Sequence, residues 1–192
     1  MNIENTRRDY PSLGTKAEWR RWVQKQAQVS SAFASVSYLE EFLKHCAPAN
    51  SIWGGFQSLS PEPSISWEQI LPSQNLQWAF PKVVSDTAIE FYQAQSFKPH
   101  PKFGMLEPDL TNAQPVSSEA MAGVLVPGLA FDNRGFRLGR GKGYYDRFLK
   151  DFKGLKVGLC SHKLFVLGPL PKDSWDVEMD YIITDEFIFK AE

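Results

Sequence analysis

Cysteines, long apolar runs and an excess of charge of either sign are all scarce in this sequence. Its two cysteines, Cys46 and Cys160, lie far apart without nearby ligand partners, which excludes a disulfide-rich scaffold and a zinc ribbon. No apolar run approaches the roughly 18–20 residues that a membrane-spanning helix needs. No apolar stretch follows the arginines near the start of the chain, as a secretory signal requires. We therefore expect a cytoplasmic protein.

Positive and negative charges nearly balance, with 21 Lys and Arg against 22 Asp and Glu and a formal net charge of −1. A protein that coats nucleic acid is far more basic, and a disordered acidic segment is far more acidic. The 192 residues, 43% of them hydrophobic, suffice for one globular domain. We expect this domain to span residues 1–192, to begin with an extended lead-in over 1–14, and to be a monomer or weak homodimer.

The hydrophobic pattern predicts helices that alternate with strands. Thr15 and Glu18 have the spacing of a capping box, which predicts a first helix, and a second helix is predicted from about Ser31 to His45. The apolar run 124–126 is typical of a strand buried on both faces. The stretch from Lys98 to Pro115 is interpreted as an irregular connection. Further short strands are predicted at 52–53, 77–80, 88–93, 157–160 and 181–184. This alternation predicts an α/β fold with a mostly parallel sheet.

One segment combines glycines, cations and the start of a predicted helix. From Arg134 to Arg147 five cations accompany a single anion, Asp146, which gives a local net charge of +4. Glycines at 139, 141 and 143 alternate with two of these cations, and glycine allows backbone N–H groups to approach an anion closely. Apolar residues at 145, 148, 149 and 152 predict a helix that begins at the end of the loop. The segment is interpreted as a phosphate-binding loop, with a solvated basic turn as the alternative.

The segment PGLAFDNRGFRLGRGKGYYDRFL resembles the signature of the 5-formyltetrahydrofolate cyclo-ligase family, and it fits neither the Walker pattern nor the dinucleotide fingerprint. Shorter similarities are KAEWR at 16–20, FPKV at 80–83 and FGMLEP at 103–108. The resemblance implies a three-layer α/β/α fold similar to sugar-phosphate isomerases and CoA transferases. It also implies a reaction of one-carbon metabolism, in which ATP phosphorylates the formyl oxygen of 5-formyltetrahydrofolate. The products are 5,10-methenyltetrahydrofolate, ADP and phosphate.

The resemblance also assigns roles to individual residues. ATP binding is implied for Lys16, Arg20, Arg137, Leu138, Gly139, Arg140, Gly141, Lys142, Gly143, Tyr144 and Tyr145. Folate binding is implied for Arg20, Gln57, Glu62, Arg140 and Tyr144. Asp146 and Asp176 would hold Mg²⁺, which prefers carboxylate and phosphate oxygens. The Asp146 carboxylate is expected to point away from the core, so that its loss costs at most about 1 kcal/mol of stability. ATP and 5-formyltetrahydrofolate are thus the expected partners, without nucleic acid or membrane.

Other interpretations stay open at this point. Lys16 and Arg20 lie on one helix face, which could be a solvated surface and not part of a binding site. Likewise, Glu62 could be a surface carboxylate, and Asp176 could cap a turn. The basic glycine loop could serve a non-catalytic module that binds RNA or a phosphorylated partner. An isomerase or acyl-CoA transferase is a third class, because the fold alone does not fix the function. A hydrolytic triad is not supported, since no histidine has a Ser or Cys partner at a recognisable spacing.

Overall fold

The computed structural model describes residues 10, 14–27, 36–59, 62, 65, 67, 70 and 75–191. The α-helices span Lys16–Ala27 (α1), Ser37–Cys46 (α2) and Tyr144–Leu149 (α3), and Trp67 and Ile70 are also helical. None of the helices in these ranges is long and apolar enough to cross a membrane.

The predicted capping box at the start of α1 is confirmed. The Glu18 carboxylate accepts hydrogen bonds from the Thr15 backbone N–H (3.0 Å) and hydroxyl (2.9 Å), and the Glu18 N–H donates to the Thr15 hydroxyl oxygen (3.2 Å). These bonds satisfy donors that a helix start otherwise leaves unpaired. The Thr15 hydrogen bonds also hold the pKa of Glu18 below its usual value. The cap thereby fixes the start of α1, the helix that carries Lys16 and Arg20.

A large mixed sheet forms the centre of the molecule. Its strands are Ile52–Gly54 (β1), Gln77–Val83 (β2), Ile89–Gln93 (β3), Gln114–Val116 (β6), Met121–Pro127 (β7), Leu155–Leu159 (β10), Tyr181–Ile183 (β12) and Ile188–Lys190 (β13). Their order is β13-β12-β10-β7-β1-β2-β3-β6. The five strands from β12 to β2 pair in parallel, whereas β13, β3 and β6 add antiparallel edges. The predicted α/β class with a mostly parallel sheet is confirmed.

Two hydrophobic clusters cover the two faces of this sheet. Val124 and Val126 of β7 belong to one cluster, which also contains residues of α1 and α3. Leu125, between them, belongs to the other, together with Leu39 and Phe42 of α2. Because side chains alternate between the faces of a strand, helices pack against both faces. The prediction that 124–126 is a strand buried on both faces is therefore confirmed.

Two smaller sheets carry the loops that surround the site. One contains Phe165–Val166 (β11), Ala130–Asp132 (β8) and Arg137–Leu138 (β9), in that order, and the other pairs Phe97–Pro99 (β4) with Leu106–Pro108 (β5). The stretch 98–115 contains β5 and a short 3-10 turn at 110–112, and β4 and β6 overlap its two ends. The prediction of an irregular connection there was therefore wrong.

A buried carboxylate connects the small sheet of β8 and β9 to a distant segment. Asp132 is fully buried and accepts hydrogen bonds from the backbone N–H groups of Arg134 (3.0 Å), Phe136 (2.9 Å) and Leu170 (2.9 Å). It also receives the Arg134 guanidinium at 2.8 Å. A buried charge is tolerated when it is paired and hydrogen-bonded in this way. Asp132 therefore anchors the segment that leads into the predicted phosphate-binding loop at 139–143, here called the glycine loop.

Two helix boundaries differ from their predictions. The α2 helix begins at Ser37, after Val36, and Ser31 lies outside the described residues. The α3 helix ends at Leu149, one turn short of Phe152, whose N–H donates to the Leu149 carbonyl oxygen at 3.2 Å. Phe152 is nevertheless buried. The helical spacing of apolar residues therefore identified a core residue correctly but overestimated the length of the helix. The short helix predicted around Ser66 and Gln69 rests on residues outside the described ranges, although Trp67 and Ile70 are helical.

Candidate functional site

A cavity of about 440 Å³ opens at the carboxyl ends of the parallel strands β1, β2 and β7. This edge is where ligands bind in open α/β sheets, and the volume lies within the roughly 300–1,000 Å³ of small-molecule sites. One part of its lining is apolar and comes from β2, β3 and the β4–β5 turn: Pro81, Val83, Ile89, Phe103, Met105 and Leu106. The other part is the predicted phosphate-binding loop. The cavity therefore joins an apolar wall to a cationic one.

The glycine loop takes a backbone conformation that favours glycine at two positions. Gly141 and Gly143 have φ values of +95° and +69°, in the left-handed region. A Cβ atom on Gly143 would also lie 2.8 Å from an Arg147 guanidinium nitrogen. The glycines thus give the loop a shape that other residues would strain, and α3 begins directly after Gly143.

Two arginines outside the cavity lining hold the backbone of this loop. Arg20 Nε donates to the Gly139 carbonyl oxygen at 2.8 Å, and Arg147 Nη2 donates to the Lys142 carbonyl oxygen at 2.8 Å. Arg147 Nε donates in addition to the Thr87 carbonyl oxygen. In this structure Arg20, one of the predicted ATP and folate ligands, holds the loop backbone and does not line the cavity.

The predicted cations and anions of the cavity pair with one another. Arg137 Nη2 lies 2.9 Å from Asp146 Oδ1, and Arg140 Nε lies 2.6 Å from Glu62 Oε1. The other Glu62 oxygen accepts the Leu59 N–H at 3.0 Å. The Asp146 side chain is only 17% exposed and Arg137 only 8%, and Asp146 faces the cavity and not the hydrophobic core, as expected. The predicted stability cost of at most about 1 kcal/mol considered only the residue's own helix and not Arg137, so loss of this ion pair is expected to cost more.

Lys142 differs from the arginines of the cavity. It lines the cavity between Gly141 and Gly143, and it has neither an ion pair nor a side-chain hydrogen bond with any of the described residues. A flexible ammonium without a protein partner can bind a phosphate oxygen without first breaking an existing contact. Of the predicted ATP ligands, Lys142 is the one most ready to accept an anion.

Two polar atoms in the cavity wall are buried without a hydrogen-bond partner among the described residues: Tyr145 Oη and Arg137 Nε. The Arg137 guanidinium carbon lies 5.4 Å from the centre of the Tyr145 ring. Burial raises the pKa of Tyr145 well above its usual range, so the phenol stays protonated and can donate. Buried polar groups in proteins are nearly always satisfied. These two atoms therefore mark places where a ligand can supply the missing partner.

The N-terminal cation Lys16 pairs with the second predicted metal ligand, Asp176, which lines a separate hollow. Lys16 Nζ pairs with Asp176 and lies 2.7 Å from Asp173. Asp173 and Asp176 line this hollow with Lys172 and Phe136, whereas Asp146 lines the main cavity. The structure thus does not bring Asp146 and Asp176 to one hollow. Within the described ranges, no group of three or more His, Cys, Asp and Glu side chains is arranged to hold a metal ion.

Most of the predicted site residues line the main cavity: Gln57, Glu62, Arg137, Gly139, Arg140, Gly141, Lys142, Gly143, Tyr144, Tyr145 and Asp146. The other four, Lys16, Arg20, Leu138 and Asp176, are outside that lining, and the Leu138 side chain is fully buried in the core. Sequence reasoning missed the apolar wall and Lys102 on the β4–β5 turn. The FGMLEP similarity at 103–108 was the signal that could have indicated this wall.

Comparison with known proteins identifies the family of this chain. The model of the 5-formyltetrahydrofolate cyclo-ligase family matches residues 58–185, which include the β4–β5 turn and the whole glycine loop. The chain belongs to the 5-formyltetrahydrofolate cyclo-ligase family. The resemblance of the glycine-loop segment to this family's signature is therefore confirmed.

Individual members of the cyclo-ligase family agree with this assignment. The chain is similar to the 5-formyltetrahydrofolate cyclo-ligase of Mycoplasma pneumoniae, with 32% identity over 120 residues. It is 28% identical over 127 residues to a probable cyclo-ligase of Schizosaccharomyces pombe. The matched regions span 62% of each relative's length, and 62% and 57% of this chain, respectively.

Two solved structures share the fold. The NMR structure of the 5,10-methenyltetrahydrofolate synthetase of Aquifex aeolicus superposes with a TM-score of 0.71 at 28% identity, covering 91% of this chain and 92% of that one. A synthetase structure from Mycoplasma pneumoniae gives a TM-score of 0.68 at 22% identity, with 90% and 99% coverage, and this match supports the fold alone. The expected similarity to isomerases and CoA transferases stays a prediction.

Proposed function

We propose that this chain converts 5-formyltetrahydrofolate and ATP into 5,10-methenyltetrahydrofolate, ADP and phosphate. The formyl oxygen attacks the terminal phosphorus of ATP and ADP leaves. The anilino nitrogen of the folate then attacks the activated formyl carbon and loses its proton, and the C–O bond breaks to release phosphate. Formyl oxygen alone is a poor leaving group because it belongs to an amide, so phosphorylation makes ring closure possible. The protein has to position two substrates and stabilise the transferring phosphoryl group.

One observation carries this proposal: a single cavity of a cyclo-ligase family chain is lined by both the glycine loop and an apolar wall. The loop supplies Lys142 and backbone N–H groups of suitable chemistry for phosphate. The apolar wall with Tyr144 and Gln57 suits the flat, partly apolar folate. The two substrates can therefore meet in one cavity.

The ion pairs suggest how the site receives its substrates. Arg137 and Arg140 are each paired with a carboxylate of the cavity, so Lys142 and Lys102 supply the uncompensated positive charge of its described lining before ATP arrives. Phosphate oxygens can take over the two guanidinium groups, which releases Asp146 and Glu62 for other partners. Lys16 and Arg20 would join from α1, and Lys16 would exchange Asp176 for a phosphate in the same way.

Mg²⁺ fits this site as a companion of the nucleotide. Asp146 provides one carboxylate in the cavity, and Mg²⁺ is commonly held by one or two carboxylates together with substrate phosphates. When bound, the ion would neutralise phosphate charge during transfer. Asp146 would hold it, and Asp176, which pairs with Lys16 outside the cavity lining, stays a predicted second ligand.

The RNA-binding alternative receives less support from this geometry. An RNA-binding surface displays its cations and aromatic rings openly. Arg137 and Arg140 instead pair with Asp146 and Glu62 inside a cavity, and Arg20 and Arg147 donate to loop carbonyl oxygens. Filter binding with RNA provides the direct comparison, and we expect no retention at protein concentrations that turn over folate.

The decisive experiment mixes the protein with ATP, Mg²⁺ and 5-formyltetrahydrofolate and follows the absorbance band of the methenyl product. We expect the band to grow only when all three are present, with one ADP released per product. Omission of ATP, or excess chelator, should abolish the signal. Conversion without ATP, or none with the complete mixture, would refute the proposed reaction.

A further inference from the structure

A cation outside the glycine loop also lines the cavity. Lys102 lies on the turn between β4 and β5, far in sequence from the residues implied by the family signature. Its side chain is exposed, and it forms no ion pair with a carboxylate of any described residue. The ammonium lies 5.7 Å from the centre of the Phe103 ring. Lys102 is therefore available to an anionic ligand.

The turn that carries Lys102 is tightly constructed. The His100 Nδ1 atom accepts hydrogen bonds from the backbone N–H groups of Lys102 (3.0 Å) and Phe103 (3.1 Å). The His100 N–H donates to the Met105 carbonyl oxygen at 2.7 Å, and the Gly104 N–H donates back to the His100 carbonyl oxygen at 2.9 Å. The His100 and Phe103 rings stack at 4.6 Å. The backbone is thus fixed, while the ammonium stays free to reach into the cavity.

The surroundings of Lys102 differ from those of the loop cations. Phe103, Met105 and Leu106 beside it are apolar, and Leu106 is 45% exposed. Lys102 therefore stands on the apolar wall, whereas Lys142 stands among glycine N–H groups. A ligand that combines an aromatic ring with a terminal carboxylate matches a wall of this kind, because the ring covers the apolar side chains and the carboxylate meets the ammonium.

We propose that Lys102 binds a carboxylate at the glutamyl end of the folate substrate, with the neighbouring apolar side chains covering the benzoyl ring. This inference rests on the proposed function, because it takes 5-formyltetrahydrofolate as the ligand. A phosphate of ATP is the competing anion. The carboxylate is the better match, since phosphate binding relies on multiple donors and Lys102 offers one ammonium beside apolar side chains.

The test compares Lys102→Gln with wild type on two substrates that differ only at this end. One is 5-formyltetrahydrofolate, and the other is 5-formyltetrahydropteroate, which lacks the glutamate. Lys98→Gln is the matched control, because Lys98 lies on the same hairpin, outside the cavity lining, and pairs with Asp109 at 2.8 Å. Lys102→Arg tests whether charge alone restores binding.

We expect Lys102→Gln to raise KM for 5-formyltetrahydrofolate about three- to fivefold, the upper range for an exposed ion pair. In Lys102→Gln, the KM for the pteroate and the KM for ATP should stay within about twofold of wild type. In Lys98→Gln, the KM values for the folate, the pteroate and ATP should all stay within that range. Lys102→Arg should recover most of the loss. Added salt should raise the wild-type KM for the folate and leave that of Lys102→Gln nearly unchanged.

Several outcomes would overturn the assignment. An equal rise in KM for both pterin substrates would show that Lys102 does not read the glutamate, and a rise confined to ATP would assign it to phosphate. Unchanged kinetics in Lys102→Gln would remove it from the site altogether. If wild type turns over neither substrate, the proposed function fails. If wild type turns over and Lys102→Gln matches it, only this inference fails.

Discussion

The Arg140 guanidinium and the Glu62 carboxylate form a 2.6 Å ion pair between residues 78 positions apart in the chain. Arg140 belongs to the glycine loop and Glu62 to the segment after β1, so the pair fixes one side of the cavity to the other. Glu62 is 7% exposed, and its second oxygen is occupied by the Leu59 N–H. Glu62 therefore positions Arg140 before any contact with folate.

The first prediction concerns this pair. We expect Glu62→Gln and Arg140→Gln each to lower the free energy of unfolding, and the double variant to lose less than the sum, with a coupling of about 1–2 kcal/mol. Their effects on KM for the folate should likewise be non-additive, because each variant removes the same interaction. Chemical denaturation and initial rates of the four proteins measure both couplings. Fully additive effects would mean that Glu62 and Arg140 act separately.

The second prediction concerns Lys142, which, unlike Arg140, should affect ATP binding but not stability. Because it has no partner among the described residues, Lys142→Ala should change the free energy of unfolding by less than about 0.5 kcal/mol. The KM for ATP should rise about tenfold, as expected for the loss of a charged contact to phosphate. Lys150→Ala, an exposed lysine just after α3 and outside the cavity lining, is the control and should change neither quantity. Normal ATP kinetics in Lys142→Ala would contradict the phosphate-binding interpretation of the loop.

Asp146 should contribute to both stability and turnover. Asp146→Asn leaves the largely buried Arg137 without its counter-charge, so we expect the free energy of unfolding to fall by about 2 kcal/mol. Turnover should nearly vanish and recover in part at high Mg²⁺, but not at high folate. Arg137→Gln is the comparison, since it breaks the same pair yet keeps the carboxylate, and its Mg²⁺ requirement should be no higher than that of wild type. Wild-type activity in Asp146→Asn would refute the metal assignment.

Tyr145 should show stability and function changing in opposite directions. Tyr145→Phe removes a buried hydroxyl that has no partner among the described residues, so the free energy of unfolding should rise by about 1 kcal/mol. If the phenol donates to a bound substrate, kcat/KM should fall about tenfold. Tyr144→Phe, at the adjoining half-buried residue of the same cavity, should leave stability unchanged. A less stable Tyr145→Phe protein would show that the fold itself satisfies this hydroxyl.

The features that the sequence predicted well are local. Thr15 and Glu18 lie three residues apart and form their capping box within one helical turn, and the apolar run at 124–126 is buried wherever that strand pairs. The glycines and cations of the loop at 139–143 are likewise neighbours in the chain. Such features follow from short-range sterics and hydrogen bonding, so they can be predicted without knowledge of the fold.

The features that were missed depend on contacts between distant segments. The strands β4, β5 and β6 have three residues each and contain or adjoin prolines, so they lack the alternation by which strands are recognised. The partners of Lys16 and Arg140 lie 160 and 78 residues away, respectively, and no spacing rule reaches that far. Lys102 enters the cavity only because β5 pairs with β4 and brings the turn over β2, which the hydrophobic pattern of 98–115 did not indicate.

Asp132 has a consequence for the entropy of ligand binding. Its bond to the Leu170 N–H closes a 38-residue section of chain that contains the glycine loop, α3 and β10. The conformational freedom of that section is therefore lost on folding, when a fully buried carboxylate collects its donors, and not on binding. A nucleotide that enters the cavity meets a loop that is already ordered. Its binding energy is then available to draw Arg137 and Arg140 away from their carboxylates.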